Sequence, residues 1–268
     1  MKLYTSKWTL GLLLGTILLT ILACGTGSSA IALTDTPLLS PTETSFPTPT
    51  QPPLYLAVTL GTVPIKEQGN SPSYTIDAQI PALQGSDDPR VTNFNNEMTL
   101  LIQQEISVFK DNMRELAPVP GSNGSSFHGQ YTLLSAPGNI LSLKFDIMVY
   151  IAGAAHPGTH SRTVTYDLEA GSDVSLDKLF LPGSNYLQVI SDYCLAQLKP
   201  KIPDLFIAGL NPTPSNYQSW NITPNGLLIT FDEYQVAAYA LGSQMVVVPY
   251  SGLKTVIDTH GPLAPFLP

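Results

Sequence analysis

Two histidines four residues apart, His156 and His160, are the first pair in this chain with the chemistry of a metal site. On a helix that spacing would turn both imidazoles toward one ion. Here Pro157 and Gly158 lie between them, so the segment reads as a turn and the spacing loses its meaning. His156 remains the best single candidate for proton transfer, beside the plainer reading of a turn histidine bonded to backbone. The carboxylates Asp146, Asp167, Asp173, Asp177, Asp232 and Glu233 are spread over turns and strand edges, and sequence alone brings no two together for acid–base work. They read as solvated surface acids. No HExxH, Gly-x-Ser-x-Gly or phosphate-loop pattern occurs. The chain is therefore expected not to be an enzyme, to need no cofactor and to hold no metal.

Cys24 offers a different chemistry. Lys2 and Lys7 precede an apolar run over residues 10–22, which ends in Ile21-Leu22-Ala23-Cys24. That run is too short to span a membrane as a helix. Small or aliphatic residues ahead of a cysteine resemble the lipobox of bacterial lipoproteins. On this reading residues 1–23 are a lipoprotein signal peptide, and the Cys24 thiol takes the lipid that anchors the protein outside the cytoplasm. The alternative is an ordinary signal peptide in which Cys24 is incidental.

Residues 24–53 are rich in Ser, Thr and Pro and cannot bury enough apolar surface to offset their ordering entropy. They are expected to form a disordered tether, partly polyproline II. At about 3.1 Å per residue, the Ser/Thr/Pro run over residues 33–53 reaches on the order of 60 Å.

Composition narrows the partners. The chain carries 12 Lys and Arg against 20 Asp and Glu, a net charge of −8. Loss of Lys2 and Lys7 with the leader would make it more acidic still. Without a basic cluster, binding to a phosphate backbone has no electrostatic basis, so nucleic acid is excluded as an expected partner. An acidic exported surface favours cationic partners instead. The other cysteine, Cys194, falls on an apolar helical stripe and reads as a small core residue. With Cys24 acylated, no disulfide would form within the chain.

The elements that must position these residues follow from periodicity. Residues 74–80 alternate and end at Pro81, a strand. Phe94, Met98, Leu101, Ile106, Phe109 and Met113 recur at helical spacing after Pro89, with Asn93 as the expected N-cap. Leu141, Leu143, Phe145, Ile147 and Val149 alternate with polar residues, and should pair with residues 131–134 across Pro137-Gly138-Asn139 as a hairpin. Val164, Tyr166 and Leu168 share one face of the next strand. A second helix is expected over residues 185–199, and buried strands over 227–231 and 245–248. The fold class is α+β: antiparallel sheet packed against two main helices, one compact unit of two intimately packed halves.

The order of motifs carries a resemblance. Gly153-Ala154-Ala155-His156-Pro157 leads into Tyr166-Asp167-Leu168-Glu169-Ala170-Gly171 and Val174-Ser175-Leu176-Asp177-Lys178-Leu179-Phe180. Asn221-Ile222-Thr223-Pro224-Asn225-Gly226-Leu227 follows, then the stretch over residues 231–242 and finally Val248-Pro249-Tyr250. This series resembles the DUF3298 family over residues 121–268, and residues 54–120 are similar to the DUF4163 module that precedes it. These modules occur in the ectodomain of a lysozyme-sensing anti-sigma factor and in the non-catalytic part of peptidoglycan deacetylases. One departure is Ala238 before Tyr239, where relatives often carry proline; it implies a less rigid loop.

The resemblance implies a non-catalytic cell-envelope domain that binds or senses a basic protein such as lysozyme. The alternative is a peptidoglycan- or carbohydrate-binding module using Tyr217, Trp220, Tyr234 or Tyr239 as platforms, and less so a wall hydrolase or deacetylase. The expected contact surface is His156, Asp232, Glu233, Tyr234 and Tyr239, because tyrosines beside acids suit amphipathic contacts with a basic partner.

Overall fold

Helix α1 (Leu54–Ala57) leads into strand β1 (Thr59–Asn70), which turns back into β2 (Ser73–Gln84) in unbroken antiparallel register. The computed structural model describes residues 52–114, 124–135 and 137–267. Cys24, the leader, the tether up to Gln51 and residues 115–123 lie outside the described residues. Helix α2 (Pro89–Arg114) then crosses the sheet, and β3 (Ser125–Ser135) returns parallel to β2. Strands β4 (Ile140–Tyr150), β5 (Gly158–Asp167) and the short β6 (Ser172–Asp173) complete a six-stranded sheet in sequence order. The β3–β4 hairpin forms across residues 137–139 as its turn residues required.

Three local expectations are corrected. Pro81 does not end β2, which runs on to Gln84. Beyond Ala78 this strand has β1 alone as a neighbour, so proline's missing N–H can face the open side without cost. Helix α2 starts at Pro89 rather than after Asn93, because Asp88 Oδ1 accepts the Arg90 N–H at 2.9 Å and caps the first turn. The third is the β2–β3 junction, parallel in a sheet expected to be antiparallel. A helical crossover returns the chain to the end of the sheet where β2 began, which is the connection a parallel pair needs. Asn95 fixes where that helix lies. Its amide accepts the Leu83 N–H at 2.7 Å and donates to the Leu83 carbonyl at 3.0 Å, acting as the strand neighbour that β2 lacks there.

One face of the sheet buries its apolar residues against α2. Ile76, Phe127, Phe145, Ile147, Val164 and Tyr166 meet Phe94, Met98, Ile102 and Phe109. The opposite face is polar, and a second unit covers part of it. Helix α3 (Tyr186–Leu198) packs with strands β7 (Trp220–Thr223), β8 (Gly226–Phe231) and β9 (Gln244–Val248), followed by α4 (Tyr250–Leu253). Strand β8 is buried throughout, but β9 buries only Val246 and Val248, so one of the two expected buried strands is half-buried. Cys194 is fully buried in this second core, and burial pushes its thiol up to about 12.

The two sheets meet through polar groups. Asn221 Nδ2 donates to Ser142 Oγ at 3.1 Å and to the Leu143 carbonyl at 2.8 Å, and the Ile222 N–H also donates to Ser142 Oγ at 3.0 Å. Asn221 is fully buried, yet its Oδ1 has no partner. Truncating it removes one orphan while creating others. Asn221→Ala is therefore expected to lower stability by only about 1–2 kcal/mol, read from urea melts followed by circular dichroism. An unchanged midpoint would mean that this amide does not join the sheets.

Candidate functional site

The β4–β5 turn over residues 151–157 brings His156 against the segment that follows β8. The His156 ring stacks on Tyr239 at 3.8 Å between centroids and 24° between planes. Tyr234 stacks on Tyr239 in turn, at 5.7 Å between centroids and 28° between planes. Tyr239 donates its hydroxyl to the Pro157 carbonyl at 2.9 Å, and His156 Nδ1 lies 2.9 Å from the same oxygen. Tyr234 has φ of 65°, the one non-glycine positive φ among the described residues, and the residue is 58% exposed. A bulky residue in the left-handed region costs free energy, and such strain clusters where a side chain must be presented. Three rings thus form an exposed aromatic ledge.

Asp232 and Glu233 tie the segment that carries Tyr234 to β5. Asp232 Oδ1 accepts the Ser161 N–H at 2.9 Å. Glu233 accepts the Thr159 N–H at 3.0 Å and the Thr159 hydroxyl at 2.6 Å. These N–H groups lie on the β5 edge that no strand pairs at this level, since β6 reaches only Tyr166 and Asp167. The two carboxylates stand in for the missing strand. Burial raises the Asp232 carboxyl, partly offset by its hydrogen bond from Ser161.

Beside the ledge a cleft of about 410 Å³ opens on the polar face of the larger sheet, lined by His128, Asp146, Met148, Thr159, Asp232 and Ser243. Asp146 is paired with Lys144 on the same strand. His160, also at this cleft, is held elsewhere: its Nε2 lies 2.8 Å from Glu105 on α2. Arg162 Nε donates to the other Glu105 oxygen at 2.6 Å. Among the described residues no group of three or more His, Cys, Asp or Glu could hold a metal ion. What the arrangement offers is stacking area and paired hydrogen-bonding groups.

The structure thus gathers all five expected surface residues, His156, Asp232, Glu233, Tyr234 and Tyr239, into one place. Two other proposed platforms are corrected: Trp220 and Tyr217 are buried, and Tyr217 donates its hydroxyl to the Leu210 carbonyl at 2.6 Å inside the second core. Sequence reasoning missed His128, which an alternating exposed position on β3 would have flagged. It also missed the tie of His160 to Glu105, which joins elements 55 residues apart.

Residues 177–251 match the family described as protein of unknown function, DUF3298. The matched segment lies C-terminal to residues 54–120, for which the DUF4163-like reading remains an expectation. The chain is similar to the peptidoglycan-N-acetylmuramic acid deacetylase PdaC of Bacillus subtilis, 26% identical over 58% of this chain and 34% of that protein. It is also similar to an esterase of Mycobacterium tuberculosis, 29% identical over 38% of this chain and 45% of that protein. The chain thus spans less than half the length of either curated relative. Crystal structures of DUF3298 family proteins from Bacteroides fragilis and Pseudomonas aeruginosa share the fold, with TM-scores of 0.55 and 0.51 at 13% and 15% identity. Each covers 75% of this chain, and the match takes in 94% and 95% of those proteins.

Proposed function

We propose that this chain is an exported, lipid-anchored, non-catalytic module of the cell envelope that binds a glycan through the ledge of His156, Tyr239 and Tyr234 and the cleft beside it. The observation that carries the reading is the strained, exposed Tyr234 in a three-ring stack, a flat apolar surface next to polar groups. Sugar rings present an apolar face for stacking and hydroxyls at their rim for hydrogen bonds. The likeness to a named peptidoglycan deacetylase supports a wall glycan as the ligand class. The lipobox-like run ending at Cys24 supports the anchor.

A second reading, a basic protein such as lysozyme, is favoured by the net charge of −8. Against it, the acids at the ledge are engaged internally, Glu233 through both oxygens and Asp232 through one. Binding of the purified chain to insoluble peptidoglycan and to lysozyme, each at low and high salt, separates the two. The glycan reading expects retention on peptidoglycan that salt barely changes and soluble hexasaccharide competes away. Lysozyme binding that salt abolishes, with no retention on peptidoglycan, would replace it.

A further inference from the structure

We infer that the glycan site does not end at the cleft but continues across the sheet as a trench, so that the module grips several consecutive sugars within a chain rather than a chain end. This rests on the glycan reading above and extends it. Strand register places five residues in one row: Lys66 opposite Asp77, Asp77 opposite His128, His128 opposite Met148, and Met148 opposite Thr159. All lie on the face away from α2, whose side carries their buried neighbours Ile76, Phe127 and Ile147. Lys66, Asp77, His128 and Met148 are exposed, and Thr159 is half-buried where Glu233 holds it. With strands about 4.8 Å apart, the row runs for roughly 19 Å at right angles to the strands.

A second cleft of about 380 Å³ lies along this row, lined by Lys66, Glu67, Thr75, Ile76, Asp77 and His128. It shares His128 with the cleft beside the ledge. His128 is thus the joint between two adjoining hollows, one reaching Thr159 and Asp232, next to the segments that carry the ledge, and the other the β1 edge.

Charge on the floor selects the occupant. Lys66 Nζ lies 3.7 Å from Asp77, and Lys144 pairs with Asp146. Each of these carboxylates has its own lysine, and Glu67 pairs with Lys110. Among the described residues, that leaves Asp232 as the lining acid without a lysine or arginine partner. Most of the charge is balanced, and donors and acceptors stand side by side. A polycation would meet the lysines and a polyanion the aspartates. A neutral polyhydroxylated chain can use both.

The test is titration calorimetry of the purified chain with N-acetylglucosamine oligomers, from the disaccharide to the hexasaccharide. Affinity is expected to rise with each added sugar up to the longer oligomers. Asp77→Ala, at an exposed position on the row far from the ledge, should weaken the hexasaccharide roughly fivefold and leave the disaccharide unchanged. Lys66→Ala, at the far end of the row and on the second cleft alone, should do the same. Affinity that levels off at the disaccharide, or variants that affect every length equally, would overturn the trench and leave the ledge as the whole site. Failure of every oligomer to bind would overturn the glycan reading and the trench together.

Discussion

Tyr239→Ala is expected to weaken glycan binding by about thirtyfold, roughly 2 kcal/mol, while the protein stays folded. Tyr239 is the middle ring of the ledge, with His156 stacked on it at 3.8 Å and Tyr234 at 5.7 Å. Its hydroxyl also holds the Pro157 carbonyl and with it the turn that carries His156. Removing it therefore takes away one stacking surface and loosens the other two. The residue is only half-buried and belongs to neither core, so the second sheet should not notice its loss. Tyr239→Phe keeps the stack and removes only the bond to Pro157, and should cost a few-fold. Calorimetry on both variants, with circular dichroism to confirm folding, gives the ordering. Equal affinity of Tyr239→Ala and the parent would place the binding surface elsewhere.

Glu105→Ala should be the most damaging polar substitution for stability. Glu105 sits on the inward side of α2, its side chain 12% exposed, and receives His160 Nε2 and Arg162 Nε on separate oxygens. Truncation strands two β5 side chains that face the helix. Arg162 is half exposed and can turn to water, which places the expected loss at about 2–3 kcal/mol. The hydrogen bond from His160, with help from Arg162, holds the Glu105 carboxyl below its ordinary range despite the opposing effect of burial. A carboxyl whose folded value lies below its unfolded one stabilises the fold fully above the unfolded value. That stabilisation is lost as pH falls through the folded value. Asp232, Glu97 and Asp173, which burial raises, act in the opposite sense, so the parent curve alone would mix the two effects. The difference in melting temperature between the parent and Glu105→Gln isolates Glu105. It should be large at about pH 6 and shrink at about pH 3. A difference that does not change over this range would show that the ionised carboxylate does not tie α2 to β5.

Much of the scaffold was legible because its signals are local. The alternation in β4, the helical spacing in α2 and the turn at residues 137–139 each sit within one short window. Strand β1 was not, for a physical reason. It is an edge strand in which Val63, Pro64, Lys66 and Gln68 are all exposed, so no apolar alternation marks it. The five ledge residues were legible as a composition, tyrosines beside acids, but their division of labour was not. Asp232 and Glu233 look like surface charges in the sequence and serve as surrogate strand partners in the structure. The left-handed backbone of Tyr234 leaves no mark in residue type, since glycine or asparagine would be the usual sign. Tyr217 and Trp220 read as available platforms because nothing local says that the segment folds inward. Their burial is decided by strands far along the chain.

The polar back of the larger sheet also bears on how the chain reaches its final state. A polypeptide emerging N-terminus first from a narrow pore presents β1 to β5 and α2 before any of β7 to β9 exists. The first core draws only on residues from Leu54 to Leu168, so it can close at that stage. The face then waiting for the second sheet shows Ser142, Lys144, Asp146, Ser161 and Thr163, with Ile140 the apolar residue that the second core later covers, rather than a bare apolar surface. A half-emerged molecule would therefore offer its neighbours little apolar surface on that side, and could pause without aggregating until Asn221 arrives to dock.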